Sequence, residues 1–190
     1  MFVLNRLATI FFFVLSMTFL VSALPTVVAN AKDLTVRNDA SDLSTLVVAL
    51  QADVDVCVNT IAGLTASADI SAQIEILVGK INTCAAAILA LGTNINVDAS
   101  AQADIAVKVG AIVTAIVQLG LSLSAKLDIL IVLGLFAKVD VCLQLLLTNL
   151  GVCVSGIVTL VAKAVANIGV GVFANVHLGL CAQVLGLISL

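Results

Sequence analysis

His177 is the single histidine and Glu75 the single glutamate in a chain of 190 residues. A Ser-His-Asp triad would need His177 as its base, with Ser155 or Ser189 as nucleophile. Its neighbours Val176 and Leu178 are apolar, and no Gly-x-Ser-x-Gly turn surrounds any serine, so a packed or surface histidine is the expectation. The carboxylates offer no acid-base pair either. Asp53 and Asp55 lie two apart, on different faces of a helix, and Asp128 and Asp140 are separated by more than three turns. Gly79-Lys80 lacks the upstream glycine and the following Ser or Thr of a phosphate loop. Zinc is disfavoured because no Cys-x-x-Cys occurs and one His cannot complete the common ligand sets. The chain is therefore expected not to be an enzyme, with no catalytic, cofactor-binding or metal residue assigned.

Composition excludes further classes. The chain is 62% hydrophobic and 10% charged, with no Trp or Tyr, and its mean hydropathy is +1.29. A sequence so rich in aliphatic residues buries more apolar surface than ordering costs, which excludes disorder. Eight scattered Lys and Arg, a net charge of −3 and no stacking aromatics exclude a nucleic-acid partner.

Residues 1–23 have the layout of a secretory signal peptide. Met1 to Arg6 carries one positive charge, Leu7 to Val21 is apolar apart from Thr9, Ser16 and Thr18, and cleavage sites of small residues follow at Val21-Ser22-Ala23 and Ala29-Asn30-Ala31. Cleavage as late as residue 31 is compatible with this pattern. The competing reading is an uncleaved anchor helix. Secretion would place Cys57, Cys84, Cys142, Cys153 and Cys181 in an oxidising environment, making all five candidate disulfide cysteines. An odd count leaves at least one free or bonded to another chain.

Residues 32–190 read as one helical domain. Leu43, Val47, Leu50, Val54, Cys57, Ile61 and Leu64 recur at spacings of four and three, with Asp42, Gln51, Asp53, Asp55 and Asn59 off the stripe. Asn38, Asp39 and Ser41 are candidate N-caps. Ile70, Ile74, Leu77, Ile81, Cys84, Ile88 and Leu91 repeat the seam at a constant offset of 27 residues. With a turn near residue 68, Cys57 and Cys84 would be staggered by roughly 7 to 8 Å, near the limit for a disulfide. Ile105, Val109, Ile112, Ile116 and Leu119 continue the spacing, with Asp104 and Lys108 paired on the far side. These polar-faced helices occupy residues 41–120.

The remainder, 126–190, is hydrophobic and poor in charge. Ile129 to Ala137 is apolar all round, as in a central bundle helix or one in lipid. Beyond Val141 the only charged residue is Lys163, on a polar ridge with Ser155, Thr159 and Asn167, and Gly169, Gly171, Gly179 and Gly186 divide the tail into one bent helix or two short ones. Against membrane spans stand the absence of an aromatic belt, of clustered Lys or Arg, and of glycines four apart. The expected fold class is all-α, a single-domain bundle of about five amphipathic to hydrophobic helices.

Met1 to Arg6, the break at Ala23-Leu24-Pro25, the Ser-Asp-Leu helix opening at Ser41 and the tail of Leu, Val, Ala and Gly resemble small secreted hydrophobic helical proteins of mushroom-forming fungi. More distantly, the chain is similar to the hydrophobic surface-binding proteins of filamentous fungi, although its five cysteines and greater hydrophobicity depart from that pattern. Hydrophobins, with eight cysteines and Cys-Cys pairs, match less well. The resemblance implies a secreted or extracellular protein, at the cell surface or associated with membrane, whose partners are hydrophobic surfaces, lipid, cell wall or other copies of itself. The mechanism expected is that the polar-faced helices keep it in water while 126–190 forms the core and opens or self-associates at an apolar surface. Two alternatives remain: an integral or inserting membrane protein, and a carrier of an apolar ligand.

Overall fold

Apolar residues returning every third or fourth position coil the chain into helices, and in the computed structural model, which describes residues 39–188, no strand occurs among those residues. Four helices are long: α1 (Asp39–Ala62), α2 (Ser67–Leu91), α3 (Ala99–Ser124) and α4 (Ile129–Cys153). Three are short: α5 (Ile157–Ala164), α6 (Val170–Asn175) and α7 (Gly179–Val184). The signal-peptide segment and Asn38 lie outside the described residues. Ser41 falls within the first turn of α1 and not at its cap. Asp98 and Asp128 do cap, accepting from the backbone N–H groups of Ala101 and Leu130 at 2.9 Å each and placing negative charge at the starts of α3 and α4.

The seams pack as the spacing predicts. Leu43, Val47, Leu50, Val54, Cys57 and Ile61 of α1 and Ile70, Ile74, Leu77, Ile81, Cys84 and Ile88 of α2 are all buried, with Leu64 and Leu91 packed at their margin. The turn between them is 63–66, earlier than expected. Helix α2 runs antiparallel to α1, with Lys80 paired to Asp53. Helix α4 lies along α2 in parallel, because Glu75 meets Lys138, Asn149 donates to the Ala85 carbonyl at 2.8 Å, and the Cys153 thiol donates to that of Ile88 at 3.1 Å. Helix α3 packs on the other side of α1, and its end is tied there by Lys126 donating to the Ala62 carbonyl at 3.1 Å. At the opposite end the loop 92–98 crosses under the bundle, its Ile95 N–H bonded to the Cys153 carbonyl at 2.7 Å.

Contact between α3 and α4 is sparse, and the tail fills that side: α5 packs mainly on α3 and α7 on α4. Beyond Asn167 the chain forms two short helices, α6 and α7, one of the two arrangements expected, and the described residues hold seven helices where about five were expected. Gly156 turns the chain after α4 at φ 82°, a left-handed conformation in which glycine carries no side-chain penalty. The core is correspondingly distributed: it draws on every helix from Leu43 to Leu185 and is not the property of 126–190 alone.

Two glycines of α3 admit the tail. A methyl group at Gly110 would stand 2.8 Å from Ala164 Cβ, and one at Gly120 would stand 2.8 Å from Phe136 Cε1 and 2.9 Å from Val176 Cβ. Gly134 of α4, by contrast, faces open space. Gly120→Ala should lower unfolding free energy by about 1–3 kcal/mol through overpacking, whereas Gly134→Ala should raise it by up to about 1 kcal/mol through helix propensity. Denaturant titrations of the two variants check the contrast, and equal effects would disprove the close approach.

Candidate functional site

Helix α4 carries apolar residues around its whole circumference, but its neighbours cover only part of them. Leu130, Gly134, Ala137, Val141, Leu145, Thr148 and Val152, spaced by three or four, are all exposed and form one outward stripe. Leu130 is 73% exposed and Val141 55%. Of the fourteen large hydrophobic residues exposed among the described positions, seven belong to α4. The outward sides of α1 and α2 carry Asp42, Thr45, Asp55, Asn59, Asp69, Glu75 and Thr83 interleaved with Val48, Val56, Ile76 and Leu89. All four long helices have the length and apolar composition to cross a membrane.

The two charges within α4 are taken up elsewhere. Lys138 is paired with Glu75 of α2. Asp140 is 5% exposed and accepts the backbone N–H groups of Leu180 and Cys181, both at 2.8 Å, so it clamps the first turn of α7. Burial pushes this carboxyl above the ordinary Asp range, and the two amide hydrogen bonds draw it part of the way back. The stripe is left with Thr148 as its only polar side chain. Its three-four spacing was present in the sequence, but the surrounding residues are equally apolar, so periodicity alone did not separate an inner from an outer face.

All five cysteines are buried free thiols. A Cys57–Cys84 pairing is excluded by register, since Lys80 opposite Asp53 puts Cys57 about eight residues, roughly 12 Å, along the axis from Cys84. A disulfide needs Cα atoms within about 7 Å. The earlier turn at 63–66 is the reason. Cys84, Cys142 and Cys153 donate instead to the backbone carbonyls of Leu46, Val139 and Ile88. Desolvation raises the Cys84 thiol to about 11 and those of Cys142 and Cys181 to about 12, and the neighbouring Asp140 adds to the last two. These are small apolar core residues, not nucleophiles.

The other residues singled out by type do not assemble. His177 occupies the turn between α6 and α7 at φ 59°, its Nε2 buried without a hydrogen-bond partner among the described residues. Ser155 is exposed in the turn after α4, and Ser189 lies outside the described residues. Asp53 pairs with Lys80, Asp55 is exposed, and Asp128 and Asp140 serve different helix starts. No three of His, Cys, Asp or Glu cluster as metal ligands among the described residues. Lys108 and Asp104 pair at 2.6 Å as the spacing predicts, and Ser155, Thr159, Lys163 and Asn167 are all exposed.

Two measurements check this site. In the native protein at roughly pH 8 the five thiols should react far more slowly with a thiol reagent than after denaturation, when all five should titrate; fewer than five in denaturant would reveal disulfides. Asp140 sets a pH dependence. Because its folded pKa is raised, the proton binds the folded state more tightly than the unfolded one, so its contribution favours the fold at low pH and is lost as pH rises through the folded value. Between about pH 4 and pH 7, the stability of the native chain relative to Asp140→Asn should fall as pH rises. A difference that grows with pH would contradict the assigned burial.

No protein-family model matches the chain, and no curated protein matches it as a relative.

Proposed function

We propose that the chain is a secreted, non-enzymatic helical protein that acts by adsorbing to hydrophobic interfaces, at a cell wall, membrane or other apolar surface, through the outward stripe of α4. The observation that carries this reading is the outward stripe of α4, apolar but for Thr148, on a molecule whose α1 and α2 expose acidic and hydroxyl side chains among their apolar ones. Residues 39–91 contain six acidic groups, Asp39, Asp42, Asp53, Asp55, Asp69 and Glu75, against Lys80 alone. This separation of charge from apolar surface favours one orientation at an interface. Covering about 200 Å² of apolar area contributes about 5 kcal/mol before the cost of immobilisation, and large exposed apolar patches mark interaction surfaces. The signal-like segment at residues 1–23 supports release from the cell.

The length and composition of α1 to α4 support a second reading, a protein integrated into a membrane. An alkaline wash of membranes separates the two: an adsorbed protein is released, and an integrated one is retained.

The direct test is partition of the purified protein onto octyl-coated beads. Val141→Lys with Leu145→Lys places two charges on exposed stripe positions and should reduce adsorption by about tenfold or more. Val56→Lys, on the exposed side of α1, should leave it unchanged. Equal loss in both variants, or loss in neither, would overturn the assignment of the α4 face.

A further inference from the structure

A trough of about 430 Å³ runs between α1 and α2, within the size range of small-molecule sites. Small residues open it: where antiparallel helices would otherwise close side chain to side chain, Ala49, Gly79 and Ala87 leave space. Leu46, Leu50 and Ile76 supply aliphatic walls. Nothing on this lining belongs to the α4 stripe.

The polar chemistry of the trough is limited and specific. Asp53 and Lys80 form an ion pair within it, with side chains 46% and 35% exposed. The hydrogen bond from Lys80 to Asp53 raises the lysine's affinity for its proton. The Thr83 hydroxyl donates to the Gly79 carbonyl at 2.8 Å and keeps its oxygen available as an acceptor. The Cys84 thiol is directed at the Leu46 carbonyl and stays protonated. With no aromatic ring in the lining, the trough has no platform for a sugar, a base or a quaternary amine.

These features select among amphiphiles with one aliphatic chain. A carboxylate head would gain Lys80 only by competing with Asp53, whose like charge repels it. A hydroxyl meets both partners, accepting from the ammonium and donating to the carboxylate. We propose that the α1–α2 trough binds one single-chain lipid with a neutral, hydroxyl-bearing head, of the monoacylglycerol class, with its chain along Leu46, Leu50 and Ala87 and its head at Asp53 and Lys80.

Gly79 provides a test that does not endanger the fold. It lies within α2, and a Cβ added there would meet nothing within 4 Å, so Gly79→Leu fills the trough while removing a flexible residue from a helix interior. The experiment is calorimetric titration of the full chain with 1-monomyristoylglycerol and with myristate, both below their micelle concentrations. The ester should bind at one per chain and about tenfold more tightly than the free acid. Gly79→Leu, shown folded by circular dichroism, should weaken ester binding about tenfold or more, and Lys80→Met should weaken it as well. The Val141→Lys, Leu145→Lys variant should bind the ester normally, so failure at the trough and failure of the α4 face are distinguishable. Unchanged affinity in Gly79→Leu, tighter or equal binding of myristate, or no saturable binding would overturn the proposal.

Discussion

Helix α4 carries apolar residues on every side, and a bundle of this topology can cover only part of them. Helix α2 lies along one flank through Asn149, Cys153 and Lys138, and the tail covers another where Asp140 holds α7. The contact between α3 and α4 that would complete a four-helix bundle is sparse, and α5 to α7 wedge into it. Phe173, Val176, Leu178 and Cys181 of this wedge are fully buried. Their position explains why the closest approaches to a glycine occur on α3: the wedge reaches the core only where Gly110 and Gly120 leave room. Once the two flanks of α4 are used, its third side has no partner among the described residues.

Asp140, Asn149 and three of the five buried thiols are satisfied by backbone. Asn149 donates to a carbonyl of α2, three thiols donate to carbonyls, and Asp140 accepts two amides at the start of α7. Such bonds contribute little net stability each, but leaving them unmade in the interior is costly, so each penalises a shifted register. Asn149 on Ala85 and Cys153 on Ile88 thereby fix the parallel alignment of α2 and α4, which uniform aliphatic packing would specify poorly.

The sequence was informative where polar and apolar residues alternate. The seam from Leu43 to Ile61 and its repeat from Ile70 to Ile88 is buried as its spacing predicts, because charged residues off the stripe leave one orientation. Register was not legible: a seam repeating at a constant offset fits several turn positions, and the observed turn at 63–66 carries Cys57 away from Cys84. The tail was legible as interrupted helix but not in its parts, since glycine spacing marks where a helix can break and tertiary contacts decide where it does. Asp140 illustrates the same limit. Its spacing from Asp128 gives it no partner in the sequence, and only the fold brings it two amides at the start of α7, a helix too distant in sequence to be foreseen.

The amphipathic character of the molecule is therefore a tertiary property. Taken singly, α1 and α2 are ordinary amphipathic helices and α4 is largely hydrophobic; only their packing leaves the α4 stripe uncovered beside the acidic α1–α2 hairpin. The acidic excess sits on the α1–α2 hairpin, while residues 126–188 carry Lys126, Lys138 and Lys163 against Asp128 and the buried Asp140. An apolar interface attracts the stripe and disfavours the hairpin, because charge brought near a low-dielectric phase loses hydration. On the proposed reading, none of the residues lining the trough between α1 and α2 belongs to the adsorbing stripe, so a chain held at a surface through α4 would keep that lining free for a ligand.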